Sequence, residues 1–124
     1  MIEIKTVQSF DELKKLYARK NIEFSEFCMA ITAIDGEEQV GSCLFMLKPD
    51  GIYIKSIEPQ DDLSLADGVL RSALHVAVFH NVNAAFYEET APFKILKKLG
   101  FILNEKEKML NINKLFESCC SCKK

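Results

Sequence analysis

The chain has 124 residues, 48% of them apolar, and carries sixteen basic against eighteen acidic side chains for a formal charge of −2. That length gives one domain with one sizeable core. The charge balance excludes the basic footprint of a nucleic-acid binder and a polybasic membrane anchor, leaving a small molecule or another protein as the expected partner. No apolar run approaches the ~20 residues that cross a bilayer, and Glu3 and Lys5 interrupt the start where a signal peptide would be apolar, so a cytoplasmic location is expected.

In chain order, Ile2, Ile4 and Val7 alternate with polar residues and predict a first strand over 2–7. Ser9 and Glu12 have capping-box spacing, and Phe10, Leu13, Leu16 and Tyr17 share one face of the helix that follows, to about residue 20. Runs at 26–34 and 38–47 read as strands joined across Asp35-Gly36, a pair suited to a tight hairpin. Pro49-Asp50-Gly51 turns the chain into a further strand at 52–58.

Ser64, with Asp67 three residues on, predicts the cap of a second helix, to about His80, with Leu70, Ala73, Leu74 and Ala77 on a broad apolar face. Residues 84–88 predict a strand. Thr90 is expected to cap a short helix with Pro92 in its first turn, Lys97 and Lys98 in its last and Gly100 as its stop. A strand, a polar turn at 105–107 and another strand follow to Ile112, and Asn113 predicts the cap of a last short helix. The order β-α-β-β-β-α-β-α-β-β-α implies an α/β architecture: a mixed, mostly antiparallel sheet flanked by helices. Residues 1–118 form one domain, followed by a Cys-rich tail at 119–124.

This order, with a long helix after the fourth strand and a short helix ending in Lys97-Lys98-Leu99-Gly100-Phe101, resembles the GNAT N-acetyltransferase superfamily over most of the chain. The resemblance implies transfer of an acetyl group from acetyl-CoA to an amine. It also implies a Q/R-x-x-G-x-G/A loop before the long helix, whose amides receive a pyrophosphate as helix N-termini receive anions. In this chain the segment falls on Leu63-Ser64-Leu65-Ala66-Asp67-Gly68, so that Ile57, Ala66, Asp67, Gly68, Val69 and Arg71 would lie along the cofactor. Ala66 and Gly68 match the pattern, Leu63 stands in place of Gln or Arg, and Asp61, Asp62 and Asp67 bring negative charge there, partly offset by Arg71.

The family's proton donor to the departing thiolate is a Tyr in the short helix; Ile95 and Leu96 occupy those positions here, leaving Tyr87 as the substitute. Glu58 is the matching candidate for the base, with Glu88 and Glu89 as an acidic rim nearby. Only Asn21 to Ser25 stand where the family places a second helix, so the acceptor cleft is open or is completed by another subunit of a homo-oligomer.

Cys28 and Cys43 lie in strand-like runs and read as small buried hydrophobes, so no disulfide framework is expected. Cys119, Cys120 and Cys122 have thiol-exchange and metal-binding spacings, but three ligands fall short of a closed zinc site, and no metal is expected. His75 and His80 have no ligand partner at helical spacing; Phe79, Phe86, Phe93 and Phe101 read as core aromatics. Three functions stay open: an acetyl-CoA-dependent N-acetyltransferase, a non-catalytic GNAT-fold module that binds an acyl-CoA or a protein, and a thiol or metal protein acting through its tail.

Overall fold

Alternation and helical periodicity translate directly into elements in the computed structural model, which describes residues 2–115. The strands are β1 (Ile2–Thr6), β2 (Cys28–Asp35), β3 (Glu38–Lys48), β4 (Gly51–Glu58), β5 (Ala85–Tyr87), β6 (Ile102–Asn104) and β7 (Met109–Leu110). The helices are α1 (Phe10–Arg19), α2 (Leu63–Phe79) and α3 (Phe93–Leu99). They build one seven-stranded sheet in the order β1-β2-β3-β4-β5-β7-β6, in which β4 and β5 alone are parallel neighbours. The architecture is the expected α/β one, and α2 supplies the crossover that a parallel pair requires. The expected last helix falls mostly outside the described residues, as does the Cys-rich tail.

Ser9 caps α1 as expected, its Oγ accepting from the Glu12 amide at 3.3 Å. Leu16 and Tyr17 then pack on Cys28, Ala30 and Leu44, forming a small layer on one face of the sheet. Gly36 turns the β2–β3 hairpin with φ +68°, a conformation that costs glycine little. On the other face, α2 lays Ala66, Val69, Leu70, Ala73, Leu74 and Ala77 on Ile31, Phe45, Ile52, Ile54 and Ile57, and α3 adds Ile95 and Leu96. This layer is the main core. Cys28 and Cys43 are buried free thiols, and burial pushes the Cys43 thiol pKa up.

Three expectations need correction. The cap of α2 is Asp62, whose Oδ1 accepts from the Leu65 amide at 3.1 Å; Ser64 lies inside the first turn. Thr90 does not cap α3, whose N-cap is Pro92 without a side-chain bond. Phe79 is 85% exposed and Phe93 37% exposed, and of the four expected core aromatics Phe101 alone is fully buried. No helix among the described residues is long and apolar enough to cross a membrane.

Candidate functional site

β4 reads Ile52-x-Ile54-x-x-Ile57, and strict alternation would turn Ile57 away from the face that holds the first two. The structure resolves this with a bulge: Phe45 opposes Ile54 and Leu44 opposes Ser56, so Lys55 is the extra residue and Ile57 returns to the α2 face. The bulge falls where the parallel ladder stops. Pairing with β5 runs from Ile52–Ala85 to Ile54–Tyr87, and the last bond is from the Glu88 amide to the Ile54 carbonyl at 2.9 Å. The chain then turns off through a bond from the Ala91 amide to the Glu88 carbonyl, while β4 continues to Glu58 without β5 alongside. The carboxyl end of β4 is therefore an open edge at the point where the sheet changes direction, the usual place for a ligand in such sheets.

Two side-chain contacts reach into the start of that opening. Thr90 Oγ1 donates to the Lys55 carbonyl at 2.7 Å, and Lys55 Nζ, on a largely buried side chain, pairs with Glu88 Oε1 at 3.1 Å. The first serves the bulge, since a main-chain carbonyl that has lost its ladder partner needs another donor, and the second ties the Lys55 side chain to the residue just after β5.

The start of α2 is already helical over the whole segment Leu63–Gly68, with no preceding glycine loop. Of its first four amides, that of Leu65 is taken by the Asp62 side chain and that of Ala66 by the Asp62 carbonyl. The Ala66 and Val69 side chains are fully buried in the core, as is that of Ile57. Gly68 faces β1: a Cβ there would come within 3.1 Å of Ile4 Cδ1. Arg71 is held by Asp67, Nε to Oδ2 at 2.8 Å, with its guanidinium 5.3 Å from the centre of the Phe101 ring. One carboxylate 4 Å from a phosphate costs ~1 kcal/mol in bulk water and ~4 kcal/mol near a protein surface, against ~0.3–1 kcal/mol gained from a helix N-terminus. With Asp61, Asp62 and Asp67 all in this turn, the start of α2 does not suit a pyrophosphate.

Glu58 sits at the tip of β4, where its Oε2 accepts from Lys20 Nζ at 2.7 Å. Arg19, Lys20, Gln39, Ser42 and Glu58 line a cleft of about 230 Å³ there, between the end of α1 and the ends of β3 and β4. Gly41 is the residue that lets the strands meet so closely, since a Cβ would lie 3.0 Å from the Glu58 carbonyl oxygen. Tyr87 lies elsewhere, on the core face of β5, 6% exposed with its ring centre 6.1 Å from that of Phe93. Burial first, and then the charge of Glu105, push its pKa up, making it a weaker proton donor than an ordinary tyrosine. Leu96 is fully buried. The structure thus separates Tyr87 from the Glu58 cleft and adds Lys20, Lys55 and Thr90, which pair across elements far apart in the chain.

No family model matches the chain, and no curated protein matches it in sequence. Solved structures do resemble it. A putative acetyltransferase from Exiguobacterium is 13% identical, with a TM-score of 0.62 over 96% of this chain and 98% of that one. An acetyltransferase from Trypanosoma brucei is 13% identical, with a TM-score of 0.59 over 85% and 95% of the two chains. A predicted acetyltransferase from Clostridium acetobutylicum, solved with acetyl-CoA, is 14% identical, with a TM-score of 0.57 over 92% and 98%. At such identities the likeness is one of architecture, and it coincides with the parallel β4–β5 pair, the crossover helix and the short helix closed by Gly100: the chain has the fold of the GNAT acetyltransferases.

Proposed function

We propose that the chain is an N-acyltransferase-like protein that takes a thioester donor of the acetyl-CoA type along the open edge of β4 and an amine in the cleft around Glu58. The observation that carries this reading is the end of the β4–β5 ladder at Ile54–Tyr87, with β4 continuing past a bulge to Glu58. The acetyl-CoA of the Clostridium acetobutylicum neighbour supports a donor of this class. The Leu65 and Ala66 amides are already taken by Asp62, the main chain of 67–69 lies inside the helix, and Arg71 would first have to leave Asp67 to meet the donor. Binding is therefore weak. Glu58 receives a proton from an amine only once Lys20 has moved aside, and neither Leu96 nor the core-facing Tyr87 offers one to a departing thiolate, so turnover is slow.

A second reading, binding without transfer, is favoured by Lys20 holding Glu58 and by the burial of Tyr87 and Leu96, which leaves no proton donor for a thiolate at either position. Calorimetry of the full chain with acetyl-CoA, paired with a thiol-release assay over a set of small amines, separates the two. The expected result is a Kd of about 10⁻⁴ M or weaker with slow thiol release. Heat without thiol release supports the second reading, and no heat removes the donor altogether. Arg71→Ala is expected to change the affinity by less than about threefold; a tenfold loss would restore Arg71 as a phosphate ligand.

A further inference from the structure

We infer that the cleft at the end of α1 selects an amine that also carries a carboxylate, a small α-amino acid, with its ammonium on Glu58 and its carboxylate on Arg19 and Lys20. The inference rests on the acceptor side of the proposed function and names its substrate class.

The cleft holds one carboxylate and two cations. Lys20 already spends its charge on Glu58 at 2.7 Å, with both side chains about one-third exposed, whereas Arg19 has no ion-pair partner among the described residues. A bare amine must compete with Lys20 for Glu58, and it adds a third positive charge to one negative. A bare carboxylate reaches Arg19 but gives Glu58 nothing. An α-amino acid answers both: its ammonium replaces Lys20 on Glu58, and its carboxylate takes the freed Lys20 together with Arg19. Such charge-assisted hydrogen bonds are the strong ones, and an arginine offers a carboxylate two of them side by side. Ser42, nearly buried, lines the same cleft.

Size agrees with the chemistry. The space of about 230 Å³ is room for roughly seven waters at ~30 Å³ each, below the ~300–1,000 Å³ of sites for drug-sized ligands. It suits an amino acid with a small side chain. Gly41 keeps β3 and the Glu58 end of β4 close enough for the wall to exist, so the cleft is built by main chain as well as by charge.

The test needs no thioester, so its outcome is independent of whether a donor binds. Glycine, L-alanine and L-serine are titrated into the full chain at up to ~10 mM, well above a millimolar Kd, and followed by calorimetry and by NMR shifts of the 19–20 and 39–42 amides. Propionate and ethylamine serve as half-ligands. At least one amino acid is expected to bind at least about tenfold more tightly than either half-ligand. Glu58→Gln and Arg19→Met are each expected to weaken it by about tenfold or more, the effect of losing one charged hydrogen bond. Equal or tighter binding of propionate would make this an anion site, and equal or tighter binding of ethylamine a plain amine site. Either result, or no binding by any of the three amino acids, overturns the inference even if the variants do not fold.

Discussion

Tyr17 shows at the scale of one residue how the smaller layer is held. Its side chain is fully buried beneath α1, and its hydroxyl lies 2.8 Å from both the Met29 and the Phe45 carbonyl oxygens, donating its one proton between two strands. Burial above all, and then the charge of Cys28, push its pKa up, and burial does the same to Cys43 in the main core. Both groups fold in the protonated form, so their contribution is complete below the unfolded-state pKa values and is lost as pH rises above them. Those values are about 8.5 for Cys and 10 for Tyr. Each pH unit above the unfolded pKa costs up to ~1.4 kcal/mol per group until the folded pKa is reached. Urea midpoints should therefore hold steady to about pH 8 and fall by pH 10.5, by on the order of 2–3 kcal/mol, mostly through Cys43. Cys43→Ala should flatten the decline even if it lowers the plateau. Tyr17→Phe should cost about 1 kcal/mol at neutral pH, and a cost of nil would mean that neither carbonyl depends on the hydroxyl.

Among the elements, the correction at α2 has a measurable consequence. Asp62 and Ser64 are both good cap residues, and the S-x-x-D spacing favoured the later one. Asp62 prevails because capping two residues earlier lets the helix gain further turn hydrogen bonds once its nucleus exists. Asp62→Ala should lower stability by about 0.5–2 kcal/mol, whereas Ser64→Ala, inside the first turn, should leave it near unchanged; the reverse order in thermal midpoints would return the cap to Ser64. The capping box of α1, the Asp35-Gly36 hairpin and the stop at Gly100 were legible because each is settled within a few residues of sequence. The bulge was written in the spacing of Ile52, Ile54 and Ile57, yet it becomes readable only once all three are known to face α2. Thr90 could not be read this way, since its partner carbonyl loses its ladder only because β4 runs four residues past Ile54, where its pairing with β5 ends. The Lys20–Glu58 pair was hidden for the same reason: it joins a helix end to a strand end through the fold, and neither residue stands in a local motif.

For the molecule as a whole, the question left by the cysteine-rich tail is whether the fold needs it. The main core is closed within the described residues, by Phe101 under α3 and by Ile112 and Leu115 at the far end, Leu115 being 2% exposed. Among those residues no group of three or more His, Cys, Asp or Glu side chains could hold a metal ion. If Cys119, Cys120 and Cys122 bound a structural metal, its binding free energy would be folding free energy, and a chelator would unfold the full chain. Among the described residues the two cores already rest on apolar contacts. A chain ended after Ser118 keeps every described residue of both cores, and its thermal midpoint should lie within about 5 °C of the full chain, roughly 1 kcal/mol for a domain of this size. A chelator should move neither. A larger drop on truncation, accompanied by chelator sensitivity in the full chain alone, would make the tail a metal-dependent part of the fold and bring its thiols forward as the functional centre.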